Sequence, residues 1–215
     1  GNTLKADVSI SVTELGSLLD HTGPHLEAEE YIARAFGAEQ SYMVTNGTST
    51  ANKIVGMDSA PAGSTVLIDR NCHKSIEQGL MLTGAKPDYM VPSRNRYGII
   101  GPIYPQEMQP ETLQKKISES PLTKDKAGQK PSYCVVTNCT YDGVCYNAKE
   151  AQDLLEKTSD RLHFDEAWYG YARFNPIYAD HYAMRGEPGD HNGPTVFATH
   201  STHKLLNALS QASYI

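Results

Sequence analysis

The chain has 215 residues, 39% of them hydrophobic, which suits one large domain around a single sizeable core. A formal net charge of −6 and a pI near 5.7 offer no long basic face to neutralise a phosphate backbone, so a nucleic-acid role lacks electrostatic support. Small molecules and other protein chains are the expected partners.

The N-terminal stretch "GNTLKADVSISVTELG" has no basic segment followed by an apolar stretch of the signal-peptide kind, and nowhere do 18 apolar residues run together. Neither export nor a membrane span is expected. "TGPHLEAEEYIARAFG" predicts the first helix. Pro24 suits its first turn, Ala28, Ile32 and Phe36 recur at helical spacing, and Gly37 can cap the end. A strand is predicted over "SYMVT" (41 to 45). Next, "TNGTSTAN" (45 to 52) combines a turn-permitting glycine, Gly47, with the hydroxyls of Thr48, Ser49 and Thr50 at the start of a helix. Free N–H groups and the helix dipole favour an anion there, which makes the stretch a candidate phosphate cup; an ordinary helix N-cap would read the same way. The GK[ST] of a P-loop is missing, so a nucleoside triphosphate is disfavoured.

The strand "STVLID" (64 to 69) follows, then a helix after Asn71, with His73 at the carboxyl edge where open α/β sheets gather ligand contacts. A lone histidine there also serves for capping or packing. Further strands are predicted at "PDYMVP", "SYCVVTN", "RLHFD", "TVFATH" and "ASYI", and strand runs alternating with helical patterns give an α/β fold with a mostly parallel sheet. The polar stretches "SESPLTKDKAGQKPS" (118 to 132) and "RGEPGDHNGP" (185 to 194) read as exposed connections. Asp165 ends the strand "RLHFD" just before the only tryptophan, Trp168; a carboxylate at that point is either a ligand contact or a helix cap. The closing "SQASYI" is an apolar strand with no turn or helix after it, so a piece of something longer is expected.

Cys72, Cys134, Cys139 and Cys145 form neither zinc-type CxxC pairs nor the framework of a small secreted domain. Reduced thiols, a cytoplasmic location and no metal site follow as expectations. A phosphate cup, a histidine able to stack, a strand-end aspartate and a late lysine, Lys204, are together the parts that pyridoxal 5'-phosphate (PLP) requires. An aspartate at the pyridine nitrogen keeps it protonated, and a lysine amine holds the aldehyde.

Five ordered motifs, "NGTSTAN", "DRNCHKS", "TNCTYDG", "HFDEAW" and "STHKLLNALSQAS", resemble the prokaryotic ornithine/lysine/arginine decarboxylases, and the resemblance covers nearly the whole chain. It implies helices packed on both faces of the sheet, as in the large domain of the aspartate-aminotransferase (type I) PLP fold. Residues 1–215 would form that PLP-binding domain, incomplete, with the family's wing and C-terminal domains absent. By the same resemblance Lys204 would carry the covalent link to the cofactor, Asp165 would pair with the pyridine nitrogen and His73 would stack on the ring. Gly47 opens the cup, Thr48, Ser49 and Ser201 would bind the phosphate, and His203 and Trp168 would lie beside the cofactor. The family decarboxylates a basic amino acid and consumes a proton, working as homodimers gathered into a larger ring, a decamer.

From about residue 76 onward the chain is similar to the biodegradative, acid-inducible arginine branch, whereas residues 1 to 75 are closer to the lysine branch. L-arginine, converted to agmatine and CO2 in acid resistance, is the expected substrate, with lysine or ornithine as alternatives. Another type I PLP enzyme such as an aminotransferase, or a noncatalytic fragment, would share the core.

Overall fold

The computed structural model describes residue 9 and residues 11–215. The reading of the N-terminus as free of a signal peptide falls largely on residues outside that range. Seven strands, β1 (Met43–Val44), β2 (Thr65–Asp69), β3 (Lys86–Met90), β4 (Tyr133–Thr137), β5 (Arg161–Asp165), β6 (Thr195–Ser201) and β7 (Ser213–Tyr214), form one sheet in the order β1-β7-β6-β5-β4-β2-β3. The strands β2 to β6 pair in parallel, and β7 runs antiparallel to both of its neighbours.

The alternation of side chains along the central strands explains the layers on either face of the sheet. Val66, Ile68, Tyr133 and Val135 point to one side, where they pack with Val55, Ile76 and Leu80 from helices α2 (Thr48–Ser59) and α3 (Lys74–Thr83). Leu67, Cys134, Val136, Leu162 and Phe164 point to the other, against Leu113 and Ile117 of α4 (Pro110–Glu119) and Ala151 and Leu155 of α5 (Ala148–Leu155). Both faces are covered, so these strands read as continuous apolar runs. Truncating Leu67 or Ile68 to alanine is expected to cost about 2–5 kcal/mol.

The first helix, α1, spans Pro24–Phe36 as its spacing predicts, and Gly37 ends it at φ 68°, ψ 34°, a left-handed cap. The predicted strand 41–45 is shorter: β1 covers Met43 and Val44, opposite Tyr214 and Ser213 of β7, and Tyr42 adds a reciprocal pair of backbone hydrogen bonds with Ile215. The 118–132 connection is also less loose than its composition implies. Its first two residues finish α4, and fully buried Thr123 donates to the Asp88 carboxylate at 3.1 Å.

Four parallel strands deliver their last residues, Asp69, Thr137, Asp165 and Ser201, to one edge of the sheet. The chain leaves β2 toward β3 but leaves β4 toward β5, in opposite directions along the sheet. Between such diverging connections a crevice opens at the carboxyl edge.

Candidate active site

The crevice is a cleft of ≈ 770 Å³, and Gly47, Thr48, Ser49, His73, Asp165, Trp168, Ser201, His203 and Lys204 all line it. Every site residue predicted from the sequence therefore reaches one place, although the positions span more than 150 residues of chain.

One wall is the start of α2. Gly47 takes φ 75°, a conformation that an L side chain adopts only under strain, and no side chain caps the helix. The first turn of α2 therefore lines the cleft with the hydroxyl-bearing Thr48, Ser49 and Thr50, the Thr50 N–H being held by the Gly47 carbonyl at 2.9 Å. The Thr48 and Ser201 hydroxyls hydrogen-bond each other, tying α2 to the end of β6.

The floor is Asp165, 3% exposed. Its Oδ2 accepts from Asn52 Nδ2 at 2.9 Å and its Oδ1 from the Ala167 N–H at 3.2 Å. Burial pushes the carboxyl pKa up, while those two donors, and the charges of His73 and Lys204, pull it back. Among the described residues Asp165 caps no α-helix; its carboxylate lines the cleft.

His73 caps a helix, one of the roles expected of it, and also lines the cleft. Its Nδ1 accepts from the Ser75 N–H at 3.2 Å and so caps α3, while the ring lines the cleft. Burial pushes its pKa down, Asp165 pulls it up, and Lys204 pushes it down again.

Lys204 follows β6 in the short helix α6 (Thr202–Leu205), with its ammonium 4.6 Å from the centroid of the Trp168 ring. The side chain is open to solvent at the cleft mouth. Burial still lowers its pKa, and Asp165 opposes the shift. His203 Nδ1 bonds the Ala212 carbonyl at 2.8 Å, which fixes the ring beside the lysine.

Several cleft residues escape the sequence reading, among them Asn52, Thr137, Cys139 and Tyr141. Asn52 had a signal: it lies four residues after Thr48, hence on the same face of α2 one turn further in. Tyr141 meets Trp168 edge to face at 6.2 Å, so the mouth carries an aromatic pair. Cys72, Cys134, Cys139 and Cys145 are all free thiols.

The sequence profile of the Orn/Lys/Arg decarboxylase major domain matches residues 1–215. The chain belongs to the Orn/Lys/Arg decarboxylase family. It is 81% identical over 214 residues to the biodegradative arginine decarboxylase of Escherichia coli K12, covering 100% of this chain and 28% of that protein. With the constitutive lysine decarboxylase of the same organism the identity is 56% over 215 residues, covering 29% of that protein. The solved structure of E. coli constitutive lysine decarboxylase superposes with a TM-score of 0.86 over 100% of this chain and 29% of that one. This family domain thus spans less than a third of the length of the relatives it matches. A serine palmitoyltransferase from S. paucimobilis, 17% identical, shares the fold at a TM-score of 0.60 over 92% of this chain and 44% of its own. The architecture is that of fold-type-I PLP enzymes.

Proposed function

We propose that this domain holds PLP and serves the decarboxylation of a basic amino acid, L-arginine, to agmatine and CO2. The observation that carries the reading is the meeting of an uncapped helix N-terminus, a buried carboxylate and an accessible lysine in one cleft. Thr48 and Asn52 are four residues apart on α2, a rise of roughly 6 Å. That separation suits a phosphate at the helix start and a pyridine nitrogen at the carboxylate bonded to Asn52. The donor chemistry fits as well, with hydroxyls and N–H groups for an anion and a carboxylate for a pyridinium.

When bound, PLP supplies an electron sink for the pair released at the substrate's α-carbon as CO2 leaves. Asp165 keeps the ring nitrogen protonated, His73 covers a ring face, and Lys204 is the amine that holds the aldehyde. Trp168 and His203 confine the lysine. Among the residues lining the cleft, Asp165 is the only carboxylate and it is engaged at the floor. The acidic groups that recognise a guanidinium therefore come from outside this cleft wall, while the Tyr141–Trp168 pair offers a stacking surface.

Arginine is preferred over lysine because the identity to the arginine decarboxylase, 81%, exceeds the 56% to the lysine enzyme. Consumption of a proton per turnover suits a role in acid resistance in the cytoplasm. The domain works within a homodimer gathered into a decamer, consistent with apolar surface left open on α2 and α3, where Met57, Met81 and Leu82 are 58%, 84% and 64% exposed. The wing and C-terminal domains of the family complete the protein around this one. Comparing kcat/KM for arginine, lysine and ornithine on the full-length protein at mildly acidic pH tests the substrate: preference for lysine overturns arginine and leaves the cofactor chemistry intact.

A further inference from the structure

Beneath the cleft lies a chain of polar side chains, Tyr133, His163, Thr199, Asn52, Ser75 and Asp165, each between 0% and 3% exposed. Their hydrogen-bond directions follow from valence. Thr199 Oγ1 is 2.7 Å from Asn52 Oδ1 and 2.9 Å from His163 Nε2. An amide oxygen only accepts, so the one Thr199 proton goes to Asn52, and the threonine oxygen must take a proton from His163 Nε2. Burial pushes the His163 pKa down to about 3, so the ring is neutral; with its proton on Nε2, Nδ1 accepts from the Tyr133 hydroxyl.

On the other side, Asn52 Nδ2 gives one proton to Asp165 Oδ2 at 2.9 Å and the other to Ser75 Oγ at 3.0 Å. Ser75, having accepted, gives its own proton to His73 Nδ1 at 2.8 Å, beside the 3.2 Å bond that its N–H makes to the same nitrogen. Every bond points the same way, from Tyr133 toward Asp165 and His73. The reversed amide would set an oxygen against the Asp165 carboxylate and aim donors at a hydroxyl already supplied by His163. Asp165 and Thr199 together therefore decide how Asn52 sits.

We propose that Asn52 is a positioning residue that couples the two groups facing the cofactor: it holds Asp165 as an acceptor and, through Ser75, fixes His73 as the neutral tautomer with its proton on Nε2. The inference rests on the reading that the cleft holds PLP. A neutral imidazole can lie against a pyridine face without setting a second positive charge beside a protonated ring nitrogen. Asp165 meanwhile has a donor on each oxygen and keeps its remaining lone pairs for that nitrogen.

Two variants of the full-length protein separate the branches. Thr199→Val keeps the shape but frees the oxygen end of the Asn52 amide, and Ser75→Ala removes the hydroxyl that accepts from Asn52 and donates to His73 while leaving the Asn52–Asp165 bond in place. In cofactor-free protein, solid-state 15N NMR of labelled histidine, with His73 identified by its loss in His73→Gln, is expected to find Nδ1 unprotonated and Nε2 protonated. Ser75→Ala, which leaves Nδ1 only the longer 3.2 Å bond from the residue-75 N–H, is expected to admit a measurable fraction of the Nδ1-protonated tautomer. A wild-type His73 protonated on Nδ1, or a tautomer unmoved by Ser75→Ala, overturns the coupling without reference to PLP. Titration with PLP, followed by its visible band, is expected to find binding weakened about tenfold in Thr199→Val, with kcat lowered about tenfold and KM within about twofold. Unchanged affinity and kcat in a Thr199→Val protein that melts like the wild type also overturns it; should that variant not fold, the Ser75→Ala tautomer decides. Failure of the wild type to bind PLP sinks the functional reading instead, and the tautomer measurement still judges the relay.

Discussion

Replacing Asp69 with asparagine is expected to flatten the pH dependence of stability at the centre of the sheet. The residue ends β2, is 0% exposed, and accepts the Asn71 N–H on Oδ1 at 2.8 Å and the Thr137 N–H on Oδ2 at 3.2 Å. It thereby holds the loop leading to His73 against the end of β4. Burial pushes its pKa up to about 6 from 3.8; the two N–H groups pull it down and nearby Asp165 pushes it further up. The folded pKa lies above the unfolded one, so between these values the native state binds more protons than the unfolded chain. Stability from this group is therefore present at low pH and is lost as pH rises toward and through about 6. A difference of about two pKa units corresponds to about 3 kcal/mol across that window.

Hydrogen exchange of the β2 and β4 amides in cofactor-free full-length protein, referenced to intrinsic rates at each pH, reads this locally. Wild-type protection is expected to weaken from about pH 4 to about pH 7 by an amount near that figure. Asp69→Asn cannot ionise and presents a donor to one of its two N–H partners, so it should be less stable at acidic pH yet nearly flat. Asp165, whose pKa burial also raises, supplies the slope that remains. Identical slopes in the two proteins would refute the assignment of the titration to Asp69.

Three further outcomes bear on the cleft. Asp165→Asn is expected to keep the contacts at the helix start but to lower kcat by a factor of roughly a hundred or more; near-normal turnover rules out its role at the ring nitrogen. Borohydride treatment of the PLP-loaded full-length protein is expected to bleach the visible band and leave the cofactor on Lys204, with the linkage lost in Lys204→Ala; peptide mapping that finds it on Lys53 or Lys74 overturns the assignment. In cofactor-free protein, Asp165→Asn should lower the Lys204 pKa further, because it removes the negative charge that opposes the effect of burial. The pH profile of acylation at Lys204, followed by mass spectrometry, checks this, and a profile shifted upward contradicts it.

The parts of the fold legible in the sequence are those whose cause is local. Strands β2, β4 and β5 are apolar runs because helices cover both their faces, and each stops where a polar residue reaches the open edge. Helix α1 declares both of its ends, through Pro24 and Gly37. By contrast α4, "PETLQKKISE", buries only Leu113 and Ile117, too thin an apolar stripe to stand out from a polar linker. The candidate site is legible residue by residue because a parallel sheet brings the ends of its strands to one edge, so separate motifs at strand ends converge whatever their distance along the chain. The relay is different in kind. Asn52 and Thr199 are 147 residues apart, and neither belongs to a pattern that names its partner. What the sequence does hold is a constraint: an amide one turn inside α2, on the face that also buries Thr48, Ala51 and Val55, cannot be left unpaired there without a cost of about 1–3 kcal/mol. A polar residue on a buried helical face thus requires partners across the fold, and here those partners include the carboxylate on which the proposed chemistry turns.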